Sequence, residues 1–121
     1  MFVRDVRDYG DIKSIDNAIL KELLHPSRDK INVGYSIAYA RVKPGEETLL
    51  HRLKESSEVY YILEGVGEMY VDGEKRKVFP NQIIYIPPNS IQKIGNIGET
   101  DLVFLCIVYP PWRSEDEELV K

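Results

Sequence analysis

The chain has 121 residues and sets 16 Lys and Arg against 20 Asp and Glu, a formal net charge of −4 that leaves no basic face for a nucleic-acid partner. Its 43% apolar and 30% charged residues describe one globular domain and exclude a disordered chain. No run approaches the roughly 18 apolar residues of a membrane span, so no membrane partner is expected.

The opening MFVRDVRDYGD has no apolar leader run, and a cytoplasmic location is expected. Phe2, Val3 and Arg4 read as a short edge strand. Asn17 to Leu24 carries both signals: Ile15, Ile19 and Leu23 recur at helical spacing, but Pro26 stops the run, and a strand fits the β-rich sequence that follows. His25, next to a proline, reads as an exposed loop residue. From Val33 the strand signal is steady. Val33–Val42 ends at the Pro44-Gly45 turn, Thr48–Leu53 and Glu58–Leu63 follow, and Gly67–Val71 meets Glu74–Phe79 across Asp72-Gly73, a strong two-residue hairpin signal. Ile83–Ile86, Ile91–Ile94 and Asp101–Tyr109 complete the set, separated by turns such as Pro87-Pro88-Asn89-Ser90. Short strands at this spacing predict an all-β fold, an antiparallel sandwich or barrel. Residues 1–121 read as one domain, with a core over about 33–109, an N-terminal extension 1–32 and a tail 110–121. In the tail Trp112 is placed to cap the barrel or a neighbouring subunit, and Glu115 to Glu118 read as a solvated end. The lone Cys106 cannot form an internal disulfide and sits in an apolar run, so it reads as core.

Two stretches carry the chemistry. The first, Pro44 to Gly65, is PGEETLLHRLKESSEVYYILEG; the second, Asn81 to Asn96, is NQIIYIPPNSIQKIGN. Gly45, His51, Glu58 and Gly65 fall at the spacing of the first motif of the cupin superfamily, and Asn81, Pro87, Asn89, Gln92 and Asn96 at that of the second. The chain therefore resembles a single-domain cupin, and the second stretch is similar to the cupin domain of type II mannose-6-phosphate isomerases. The resemblance implies an antiparallel β-barrel, a double-stranded β-helix of jelly-roll type. It also implies a divalent metal held by the histidines of both motifs and the glutamate of the first. Here Leu53 stands for the second histidine of the first motif and Gln92 for the histidine of the other.

Only His51 and Glu58 keep the expected donor chemistry, with Gln92 adding an amide oxygen; such a set suits Zn, Fe, Mn or Ni. His51 and Leu53 share one face of a strand, as do Glu58, Tyr60 and Ile62 of the next. Two readings stand at this point. Either His51, Glu58 and Gln92 hold a metal, or none is bound and His51 and Glu58 hydrogen-bond to each other as a buried pair. Tyr60 and Tyr85 are the strand tyrosines placed to orient a ligand together with Gln92. The function expected is binding of a small polar molecule, such as a sugar phosphate or organic acid. The resemblance adds metal-assisted isomerisation, with His51 and Glu58 catalytic. Its alternatives are a non-catalytic binding or sensing module and a barrel kept for assembly. Val59, Tyr61 and Leu63 form an outward apolar stripe, and a homodimer is expected.

Overall fold

Alternating burial along the strands folds the chain into two facing antiparallel sheets in a computed structural model that describes residues 1–121. In chain order the strands are β1 (Ile12–Lys13), β2 (Ile19–Leu24), β3 (Ser36–Val42), β4 (His51–Leu53), β5 (Ser57–Glu64) and β6 (Gly67–Val71). They continue as β7 (Glu74–Val78), β8 (Ile83–Ile86), β9 (Gln92–Asn96), β10 (Leu102–Tyr109) and β11 (Glu117–Leu119). One sheet runs β1-β2-β3-β10-β5-β8 and the other β11-β4-β9-β6-β7. The helical content is a single short turn, α1 (Pro26–Asp29), and two 3₁₀ turns. This is the all-β barrel that the strand spacing predicts, and no helix is long and apolar enough to cross a membrane.

The period-two rule explains the core. On β5, Glu58, Tyr60 and Ile62 turn inward while Val59 and Tyr61 face out, half-buried, and Leu63 stays exposed. Phe104, on β10, pairs with Ile62 and is 1% exposed. Cys106 is buried in the same apolar cluster, with Ala40, Ile86 and Ile94. Asp72 and Gly73 join β6 to β7 with φ of 48° and 89°, the left-handed pair that a two-residue hairpin turn requires.

The motif glycines serve backbone geometry. Gly45 and Gly65 have φ of 79° and 85°. Asn81 and Asn89 stand where the motif has glycine, and both adopt the same left-handed region, at φ of 72° and 64°. Asparagine is the side chain that best tolerates that conformation, so the turns survive the substitution. At Gly65 there is no such latitude, because an added Cβ would lie 2.6 Å from the Asp101 carbonyl oxygen. Gly65→Ala is therefore expected to cost about 1–3 kcal/mol in urea unfolding, whereas an unchanged midpoint would mean that the β5–β10 contact yields easily.

Three expectations need correction. Residues 2–4 form no strand, since β1 takes the sheet edge. Arg4 instead bonds the Leu23 carbonyl at 2.7 Å and Asp29 at 2.9 Å, with its guanidinium over the Phe2 ring. His25 is not a free loop residue: it caps α1 through Nδ1, and its Nε2 lies 2.7 Å from the Trp112 carbonyl oxygen. The acidic tail is not a solvated end either. Asp116 is 1% exposed and its carboxylate accepts from the backbone N–H groups of Glu55 (2.7 Å) and Ser56 (3.1 Å). A buried charge met by two N–H donors is tolerated, and it anchors β11 against β4.

Candidate functional site

His51 is the hub of the interior site. It is 2% exposed on β4, and its Nδ1 lies 2.8 Å from the Leu49 carbonyl oxygen. A carbonyl only accepts, so the Nδ1 proton is directed there and Nε2 is the atom offered to the interior. Nε2 lies 3.2 Å from Oδ2 of Asp16. Asp16 sits in the turn joining β1 to β2, where Ser14 and Ala18 close a backbone hydrogen bond of 2.9 Å. Its Oδ1 accepts from the Ala18 N–H and the Ser14 hydroxyl, and the Leu49 N–H donates to its carbonyl at 2.8 Å. The carboxylate is thereby fixed with one oxygen free to face the ring. Glu117 arrives from β11, whose register sets it opposite Leu53. Donor atoms of Asp16, His51 and Glu117 all lie within 4.8 Å of one another.

Behind this cluster runs a second chain of polar groups. The Tyr60 hydroxyl donates to Gln92 Oε1 at 3.1 Å, and Gln92 Nε2 donates to Glu58 Oε1 at 3.0 Å. The Tyr60 ring rests on Phe104 with centroids 4.6 Å apart. Burial pushes the Glu58 carboxyl up to about 7, offset in part by the nearby His51 and by the Gln92 hydrogen bond. Burial likewise raises the Tyr60 hydroxyl and the Cys106 thiol, which leaves that thiol an inert core group. Glu117 is raised too, by burial and then by Asp16.

These groups open on a cavity of about 340 Å³ whose walls include Asp16, His51, Glu58, Tyr60, Glu117 and Trp112. Apolar walls come from Ala18, Ala38 and Phe104. The barrel thus brings together His51, Glu58, Tyr60 and Gln92, as the sequence suggests, with two differences. Gln92 is 1% exposed and does not line the cavity; it holds Glu58 and Tyr60 from behind. Tyr85 does not join the site at all. It pairs with Val59 on the outward face and is 60% exposed, because it is out of phase with Ile84 and Ile86.

A metal bound in the superfamily's manner does not fit this donor set. Leu53 offers no ligand, and both polar atoms of Gln92 are engaged by Glu58 and Tyr60. The alternative, a hydrogen bond between His51 and Glu58, is not formed either, since His51 turns to Asp16 and Glu58 to Gln92. Sequence reasoning missed Asp16 and Glu117. Asp16 had one local signal, the Ser14-Ile15-Asp16-Asn17 turn between two apolar runs. Glu117 had none that separates it from the acids around it.

Comparison with known proteins gives a consistent picture. A model of the Cupin_2 family, described as a cupin domain, matches residues 38–108. The uncharacterized protein MJ1618 of Methanocaldococcus jannaschii is 48% identical over 117 residues, covering 94% of this chain and 93% of that protein. An oxalate-binding protein of Thermotoga maritima is 32% identical over 72 residues, 58% of this chain and 60% of that one. A mannose-1-phosphate guanylyltransferase of Sinorhizobium fredii is 30% identical over 76 residues, 63% of this chain but only 15% of the enzyme. Among solved structures, a predicted oxalate decarboxylase from Thermotoga maritima superposes with a TM-score of 0.79 at 22% identity, over 90% of this chain and 99% of that one.

Proposed function

The chain belongs to the cupin family, and from that premise we propose that its barrel binds one small polar molecule, a sugar phosphate in preference to an organic acid, without catalysing a reaction on it. The observation that carries this reading is the 340 Å³ cavity, in which apolar walls surround a few convergent polar groups. Its charge selects between the two ligand classes. Asp16, Glu22, Glu58 and Glu117 set four carboxyl groups against the His51 imidazole and Lys13 at the cavity edge. A small dianion placed among them meets like charge in a poorly screened interior, whereas sugar hydroxyls are donors for these acceptors. Lys13, exposed where it lines the same cavity, is placed to meet a phosphate. The distant guanylyltransferase relative is named for a sugar phosphate, which supports the same class; the oxalate-binding relative supports the other.

Leu53 and Gln92 favour a binding or sensing module, because they remove the donors on which metal-assisted isomerisation rests. One observation favours a second reading. Glu58, with a carboxyl near 7 and a place in the cavity wall, suits proton transfer at neutral pH without a metal. Calorimetric titration in chelator with hexose phosphates, neutral hexoses and oxalate tests both. Saturable binding of a hexose phosphate with weaker or no oxalate binding is expected, and oxalate binding alone would overturn the ligand class. Deuterium entering the bound sugar beside its carbonyl carbon in heavy water, and lost in Glu58→Gln, would establish the second reading in place of the first.

A further inference from the structure

We propose that Asp16, His51 and Glu117 form a divalent metal site of this chain's own, built from one motif histidine and two carboxylates outside the family's donor set. The site draws on three separate segments: the β1–β2 turn, β4 and β11. The two flanking segments of the barrel core supply the ligands that Leu53 and Gln92 no longer can.

The arrangement of acceptors carries the argument. With the Nδ1 proton directed at the Leu49 carbonyl, the neutral ring presents a lone pair at Nε2, and 3.2 Å away stands a carboxylate oxygen, also an acceptor. Two facing acceptors need a positive centre between them. A proton satisfies that pair, yet Glu117 brings a third acceptor to within 4.8 Å of both. One divalent cation satisfies all three at once. Donors at about 2.1 Å from an ion stand roughly 3–4 Å apart, so the cluster needs only small adjustment to close on one.

The supporting contacts are those that metal ligands use. A ligating histidine almost always donates its other N–H to a carbonyl or carboxylate, as His51 does to Leu49. Asp16 is 6% exposed, and Ala18 and Ser14 hold Oδ1 so that Oδ2 alone points at the ring. Trp112 lines the cavity together with Glu117. One imidazole and two carboxylates suit Mn²⁺, Fe²⁺ or Zn²⁺ and leave coordination positions open towards the cavity. The inference deepens the ligand-binding reading, on which its use rests: a cation there would give the phosphate of a sugar phosphate a positive partner inside the cavity. The binding of metal itself does not depend on that reading.

The test is calorimetric titration of chelator-stripped protein with ZnCl₂ and with MnCl₂, with no organic ligand present. One site per chain is expected. Asp16→Asn and Glu117→Gln should each weaken it at least about tenfold, more than Glu58→Gln does, while Tyr85→Ala on the outward face stays within about threefold of the parent. Circular dichroism checks each fold, and if Asp16→Asn does not fold, the half-buried Glu117→Gln decides the question. No binding of either ion, binding untouched by Glu117→Gln, or binding lost in Glu58→Gln each overturns the proposal. A failed sugar-phosphate titration leaves it standing.

Discussion

Phe104→Ala is expected to cost the fold about 3–5 kcal/mol, the usual loss when a buried aromatic side chain is cut back to its Cβ. Phe104 is 1% exposed on a central strand and pairs with Ile62 of β5, itself 0% exposed. About 0.5–1.5 kcal/mol of that loss is the ring pair with Tyr60, 4.6 Å away. For a domain of this size the melting temperature should fall by about 12–20 °C. The effect should reach the site as well. Tyr60 is held between Phe104 on one side and Gln92 on the other, and Gln92 in turn holds Glu58. With the ring gone, the Tyr60 hydroxyl loses its fixed place, and ligand affinity should fall in whatever protein remains folded. Phe104→Leu keeps most of the apolar volume and should cost about 1–2 kcal/mol. Scanning calorimetry on both variants checks this. Nearly equal, small losses would mean that the inner face of β10 is not where stability resides.

The fold was legible because its signals are local and redundant. β5 alternates buried and outward residues from Ser57 to Ile62, β10 is an unbroken apolar run, and Asp72-Gly73 names its own hairpin. The motif turns were legible even where glycine is absent, since Asn81 and Asn89 keep the left-handed backbone that glycine supplies elsewhere. The Asn17–Leu24 segment shows how pairing decides an ambiguous run: its helical spacing yields to a register with β3 that extends from Ile19 to Leu24. Tyr85 was misplaced for a related reason. A tyrosine in a strand has an even chance of either face until the register is known, and only pairing with Val59 shows that it points out.

The site was half legible. His51 and Glu58 were visible through spacing, because a strand's period fixes which residues share a face. Their partners were not. Asp16 reaches His51 from 35 positions earlier in the chain and Glu117 from 66 positions later, as the difference of their numbers gives. Neither lies in a strand signal strong enough to predict its neighbours. The acidic run from Glu115 to Glu118 reads as solvated by composition, yet two free backbone N–H groups at Glu55 and Ser56 suffice to bury Asp116. Once Asp116 is anchored, β11 pairs with β4 and delivers Glu117 to the cavity. The tail's role is thus set by one tertiary contact that no local pattern announces.

Glu58→Gln is expected to remove most of a pH dependence that the parent protein shows. The Glu58 carboxyl stands at about 7 in the folded protein against an ordinary value of 4.5, chiefly because burial disfavours its charged form. Below 4.5 the group is protonated in both states and contributes nothing. Between 4.5 and 7 the folded state keeps a proton that the unfolded chain releases, so stability falls as pH rises. Above 7 the whole penalty is present: 7 minus 4.5 gives 2.5, worth about 3–4 kcal/mol at roughly 1.4 kcal/mol per pH unit. A neutral amide at this position does not titrate, and its carbonyl can still accept from Gln92. In chelator, urea unfolding at pH 5 should therefore find the parent as stable as Glu58→Gln, and at pH 8 the variant should be the more stable by about 2–3 kcal/mol. The stability given up is what the second reading assigns to a proton held beside the cavity. Parallel stability curves for the two proteins from pH 5 to pH 8 would show that Glu58 keeps an ordinary carboxyl, and would remove the basis for giving it a proton-transfer role.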